Sequence, residues 1–120
     1  MIDELVYLEN HDPSWGQSFI QEQERIRATL HLDLTAIQHI GSTAVFGIYA
    51  KPIIDIMIGI ETFPPSQHLS NGLVSLGYDA LGEAGMPKRL YFRYRGLQLF
   101  NVHVVEREKQ HWNSNLALRD

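Results

Sequence analysis

The spacing of hydrophobic positions changes repeatedly along the chain, and each change marks an element. Trp15, Phe19, Ile26 and Leu30 recur at helical spacing, with Gln21-Glu22-Gln23-Glu24 assigned to the wet side. Asp12-Pro13-Ser14 in front of them is a helix start, a capping carboxylate followed by proline at the first helical position. The pattern predicts one amphipathic helix over 14–30. Ala36-Ile37-Gln38-His39-Ile40 is short, holds β-formers and stops at Gly41, which predicts a strand and then a turn. The segment 42–50, interrupted by Gly47, is expected to be a short helix or turn. Pro52 marks an extended approach to 53–60, the strongest strand in the sequence. After the Pro64-Pro65 break, Leu69, Leu73 and Leu76 predict a second helix over 66–76, which Gly77 ends. Strands are expected at 89–95 and 98–105, joined at Gly96 as in a hairpin. Trp112, Leu116 and Arg119 return to helical spacing before the sequence stops at Asp120.

This order predicts a mixed α+β domain with a mixed or predominantly antiparallel sheet. A chain of 120 residues supports one domain and one core, so 1–120 is read as a single unit. The last helix is cut short, and the expectation is a domain that continues beyond Asp120.

Strand parity locates the candidate chemistry. On 53–60, Ile54, Ile56, Ile58 and Ile60 share one face and form the expected core, while Ile53, Asp55, Met57 and Gly59 share the other. Asp55 is therefore a carboxylate among apolar neighbours. Left unpartnered it costs several kcal/mol, so a cation, a metal or N–H donors belong beside it. A structural ion pair with Lys51 or an arginine and a site role both satisfy that need. On 98–105, Phe100, Val102 and Val104 oppose Asn101, His103 and Val105. If the two strands are neighbours, His103 and Asn101 face the same cleft as Asp55. An imidazole beside a carboxylate suits a divalent metal or an acid–base pair, or is a plain hydrogen bond. Gly41-Ser42-Thr43 follows a strand, 13 residues before Asp55, and is a candidate anion-holding turn. Lys51 is placed to meet a phosphate there.

Composition narrows the partners. The net charge of −4 argues against an extended nucleic-acid surface. Even so, Lys88, Arg89, Arg93 and Arg95 crowd into eight residues, alternating with Leu90, Tyr91, Phe92 and Tyr94, which leaves room for a local anion site. The aromatic members are candidates for base stacking or, in the commoner arrangement, hairpin core. The absence of cysteine excludes disulfide and thiolate chemistry. No apolar stretch reaches the ~20 residues of a membrane span, and Met1-Ile2-Asp3-Glu4 is no leader, so no membrane association and a cytoplasmic location are expected. Walker, dinucleotide, zinc-protease and nucleophile-elbow motifs are absent.

The stretch His39-Ile40-Gly41-Ser42-Thr43-Ala44-Val45, then Gly47, then Ala50-Lys51-Pro52-Ile53-Ile54-Asp55-Ile56, resembles the core motif of the GrpB family. Asn10-His11-Asp12-Pro13-Ser14-Trp15 with Phe19 is similar to the family's opening. Arg89-Leu90-Tyr91-Phe92-Arg93 resembles its arginine-rich strand, and Val102-His103-Val104-Val105 with Trp112, Leu116, Arg119 and Asp120 its later strand and helix. The resemblance implies a nucleotidyltransferase (DNA polymerase β-like) fold with helices packed mainly on one face of the sheet. In that superfamily a Gly-Ser turn positions a nucleotide phosphate, and two acidic residues spaced one apart hold divalent metal with a third from a later strand. Gly41 and Ser42 match the turn and Asp55 the first acidic position. The second is Met57, and the third falls near His103.

With the hydroxyl, lysine and arginines read above, the candidate phosphate-binding set is Gly41, Ser42, Thr43, Lys51, Arg89 and Arg93. Asp55 and His103 are the implied catalytic pair and the ligands of a divalent Mg²⁺ or Mn²⁺, without the two-metal arrangement of phosphoryl transfer. Family members usually carry proline where Phe46 stands, and they continue into further helical structure. The expected partner is a nucleotide or another phosphate-containing small molecule. Met57 sets transferase activity against two rival readings, a non-catalytic accessory module and a metal-dependent hydrolase with water activated near Asp55 and His103.

Overall fold

The computed structural model describes residues 8–120. Met1–Glu4, read above for a leader, lie outside the described residues. Helix α1 spans Ser14–Leu30, followed by strand β1 (Ile37–Ile40), β2 (Ile53–Ile60), helix α2 (Gln67–Ser75), β3 (Asp79–Ala80), β4 (Arg89–Arg95), β5 (Leu99–Glu106) and helix α3 (Gln110–Arg119). Single 3-10 turns occupy Leu34–Ala36 and Ser42–Ala44. The strands form one mixed sheet in the order β1-β2-β5-β4-β3. β2 runs parallel to β5, and every other neighbouring pair is antiparallel.

Local chemistry starts and stops these elements where the sequence indicates. The Asp12 carboxylate accepts the Ser14 N–H at 2.9 Å, capping α1. One expectation for this helix is overturned. Glu22 is not on the wet side but 6% exposed, on the stripe with Trp15, Phe19, Ile26 and Leu30. Its burial is compensated. Arg25 donates through Nε and Nη2 to both carboxylate oxygens at 2.9 Å, and the Tyr78 hydroxyl donates at 2.7 Å. Burial, then the hydrogen bond to Glu22, pushes the Tyr78 hydroxyl far above its ordinary value.

The sheet has two unlike faces. Ile54, Ile56 and Ile58 of β2, with Phe100, Val102 and Val104 of β5 and Phe92 of β4, pack beneath α1 and α2. Each fully buried isoleucine contributes about 1.5–3 kcal/mol, so this face carries most of the folding energy. On the other face Ile40, Met57 and Val105 pack under Trp112 and Leu116 of α3. Gly59 makes that docking close, since a Cβ there would meet Trp112 Cζ3 at 2.6 Å. Two helices thus cover one face and the third covers only part of the other. No helix among the described residues is long and apolar enough to cross a membrane.

Candidate functional site

The part of the outer face that α3 leaves open is polar. Parity and register together build it. Asp55 pairs with Asn101 across the parallel β2–β5 ladder, His103 with Tyr91 and Asn101 with Arg93 across the antiparallel β5–β4 ladder. All five side chains consequently point to one side of the sheet. Ser42 arrives from the 3-10 turn after β1, and Lys51 from the segment before β2. Together Ser42, Lys51, Asp55, Tyr91, Arg93 and Asn101 line a cleft of about 280 Å³, with Leu8, Ala50 and Ile53 as its apolar wall.

The Asp55 side chain is 30% exposed, and its Oδ1 lies 3.1 Å from His103 Nε2. Its partner is this imidazole, not the Lys51 or arginine of the ion-pair reading. Gly41 makes room for the carboxylate. Its φ of 73° and ψ of −171° suit glycine alone, and a Cβ would stand 2.8 Å from Asp55 Oδ2. On its far side the His103 ring is backed by Arg89, whose Nη1 lies 3.3 Å from Nδ1. Arg89 Nη2 donates to the Glu83 carbonyl at 3.0 Å, while its Nε is buried with no partner among the described residues. The guanidinium lies 4.7 Å from the Tyr91 ring centroid. Arg93 flanks the same ring at 5.3 Å and donates from Nε to the Tyr91 hydroxyl at 3.0 Å.

Of the residues expected to hold phosphate, Ser42, Lys51 and Arg93 reach the cleft, with Gly41 beneath Asp55. Two do not line it. Arg89 stands behind His103, one ladder position away from the cleft. Thr43 is 3% exposed, with its hydroxyl 2.9 Å from His39 Nε2. His39 pairs with Ile56 and so faces the α1 side of the sheet, where it stacks on Phe19 at 4.8 Å. Burial lowers its pKa to about 4, against the pull of Asp55, which favours the charged ring. His39 is therefore half-buried on the α1 side of the sheet, away from the cleft. Tyr91, weighed only as a stacking candidate or hairpin core, is a wall of the site, as its odd-numbered parity with Arg89 and Arg93 indicates.

The donor set does not fit a Mg²⁺ clamp. Met57, where the resemblance to nucleotidyltransferases implies a second acidic residue, is fully buried beneath α3. Among the described residues Asp55 is the one carboxylate lining the cleft, and its neighbouring imidazole is hydrogen-bonded to it. Mg²⁺ requires a near-octahedral set of oxygens. One carboxylate and an engaged imidazole do not supply the paired-carboxylate framework.

Fold and site together define a small mixed-sheet α+β domain with a cleft that Asp55 lines, the His103 imidazole standing behind that carboxylate rather than in the lining. A family model described as GrpB protein matches residues 5–120, and the chain belongs to the GrpB family. It is 31% identical over 121 residues to the glutamate-rich protein GrpB of Alkalihalophilus pseudofirmus, an alignment covering 96% of this chain and 70% of that protein. The crystal structure of conserved protein GrpB from Enterococcus faecalis superposes with a TM-score of 0.82 at 29% identity, covering 94% of this chain and 70% of that one. A dephospho-CoA kinase of Mycobacterium bovis is 33% identical over 73 residues, 58% of this chain and 18% of the kinase. The chain spans between 32% and 70% of the length of curated GrpB and UPF0157 relatives.

Proposed function

We propose that the cleft binds a nucleotide or a related phosphate-bearing small molecule, on a nucleotidyltransferase-like scaffold that lacks the paired carboxylates of a transferase. One observation carries this reading. Ser42, Lys51, Asp55 and Arg93 come from four separate segments and line a single cleft. Lysine offers a point charge and arginine a planar fork, the two side chains most suited to phosphate oxygens. Their convergence in a chain of net charge −4 is a local cationic feature rather than part of a basic surface. The alignment with a protein named for dephospho-CoA phosphorylation supports a nucleotide-handling role.

Thermal denaturation with ATP, GTP, CTP, UTP and pyrophosphate, each with EDTA or with Mg²⁺, is the test. A ligand at 100 times its Kd stabilises by about 2.7 kcal/mol, a rise of roughly 10 °C or more in a domain of this size. Lys51→Ala and Arg93→Ala each reduce that rise. If no compound shifts the transition, the phosphate reading is wrong. A second reading, an accessory module that docks a partner, is favoured by the exposed apolar rim: Phe46 is 84% exposed, Tyr49 66% and Leu8 63%. It moves ahead if nucleotides have no effect.

A further inference from the structure

We propose that Asp55 acts as a hydrogen-bond acceptor for a hydroxyl or amino group of the ligand rather than as a metal ligand, and that Arg89 is the positioning residue that makes it so. Arginine carries five N–H donors and no acceptor, and it stays charged in proteins. Its Nη1 faces His103 Nδ1 at 3.3 Å, so Nδ1 must present a lone pair. The ring proton then resides on Nε2, and Nε2–H donates to Asp55 Oδ1 at 3.1 Å. Both ring nitrogens are committed. A metal on Nε2 would have to displace that proton, and a metal on Nδ1 would have to displace a fixed cation.

Arg89 is built to hold this tautomer. It is anchored to the Glu83 carbonyl and laid across Tyr91, and Tyr91 stands opposite His103 in the ladder. With Oδ1 engaged, Asp55 retains Oδ2, which lies over the Gly41 backbone where no Cβ narrows the approach. That acceptor shares the cleft with the cations Lys51 and Arg93. Such a site selects an anionic group and a donor on one molecule, as in a nucleotide with its ribose diol. The ligand half of this proposal rests on the phosphate reading above; the tautomer half does not.

Long-range proton–nitrogen correlation spectra of ¹⁵N-histidine-labelled protein test the tautomer half without any ligand, with His103→Gln assigning the signals. A pyrrole-type nitrogen at Nε2 and a pyridine-type nitrogen at Nδ1 are expected. Asp55 and Arg89 favour the same tautomer, so the role of Arg89 is read in Asp55→Ala, where Nε2–H should persist; adding Arg89→Met should mix the tautomers and adding Arg89→Lys instead should retain the original one. A protonated Nδ1 in the unmodified protein overturns the proposal, as does an unchanged tautomer between folded Asp55→Ala and folded Asp55→Ala/Arg89→Met. For the ligand half, AMP and 2′,3′-dideoxy-AMP are titrated in EDTA and in Mg²⁺. AMP affinity should agree within about twofold between the two buffers, with the dideoxy compound at least tenfold weaker, a difference of about 1.4 kcal/mol. Binding that requires Mg²⁺, or equal affinity for both nucleotides, overturns it. If neither nucleotide binds while Nε2 carries the proton, the phosphate reading and the ligand half both fall, and the positioning role of Arg89 stands.

Discussion

Asp55 and Met57 sit two residues apart on the same face of the same strand, in opposite environments. Met57 is fully buried with Ile40, Val105 and Trp112 under α3. Asp55 stands beyond the helix, partly exposed, against an imidazole and a glycine. The strand supplies the direction of each side chain, and the helix decides which of them meets solvent. A carboxylate at Asp55 keeps water, a donor and a cleft, whereas one at 57 would lose all three. The covered half is organised for packing and the open half for polar contact.

Moving a charge across that boundary has the largest expected effect. Met57→Asp recreates the two-carboxylate spacing but strands the second carboxylate under α3, and should cost about 3–5 kcal/mol. Urea unfolding measures it; a variant as stable as the parent would show that α3 does not seal this half. Next comes the glycine in the open half. Gly41→Ala imposes a side chain on a glycine-only conformation and drives its Cβ into Asp55, which should cost about 1–3 kcal/mol and disturb ligand binding as well. A neutral result in both would remove the close approach on which the site depends.

A smaller effect concerns the histidine on the wrong side of the sheet for chemistry. Burial depresses the His39 pKa to about 4 in the folded state, against 6.5 as its ordinary value. Between these values the unfolded chain binds more protons at this position, so stability falls as pH drops from 6.5 through 4. Replacing it with glutamine should flatten that part of a plot of Tm against pH. An unaltered slope would mean that His39 is solvated. Smallest in stability is Asp55→Asn, which keeps an acceptor for His103 and should change unfolding by less than about 1 kcal/mol. Its ligand affinity should nevertheless drop at least tenfold, and an affinity left intact would take Asp55 out of the site.

The same contrast explains which features were legible in the sequence. β2 was readable to the residue because four isoleucines alternate with a carboxylate. The placing of Asp55, Asn101 and His103 on one face followed from parity alone. β3 was missed, since two exposed residues, Asp79 and Ala80, are too few to alternate. Glu22 was misassigned because charge was taken to mean solvent, whereas its partner Tyr78 lies 56 positions away. Thr43 was grouped with the phosphate residues by its place in the Gly-Ser-Thr turn, and Arg89 by its place in the arginine-rich strand. Which way Thr43 turns depends on His39, and which residue Arg89 backs depends on the β4–β5 register. Neither pairing leaves a local signal. Arg93 and Lys51 reached the cleft for reasons the spacing already contained.

The central claim is that the open half of the outer face receives a phosphate compound while the covered half stays inert. Amide chemical-shift mapping during an AMP titration tests it most directly. The account predicts movement at Ser42, Lys51, Asp55 and Asn101 with the Trp112 indole signal unchanged. Shifts gathered instead around Ser18, Arg25 and Leu97, the groove between α1 and the β4–β5 hairpin, would contradict it, as would no shift at millimolar AMP.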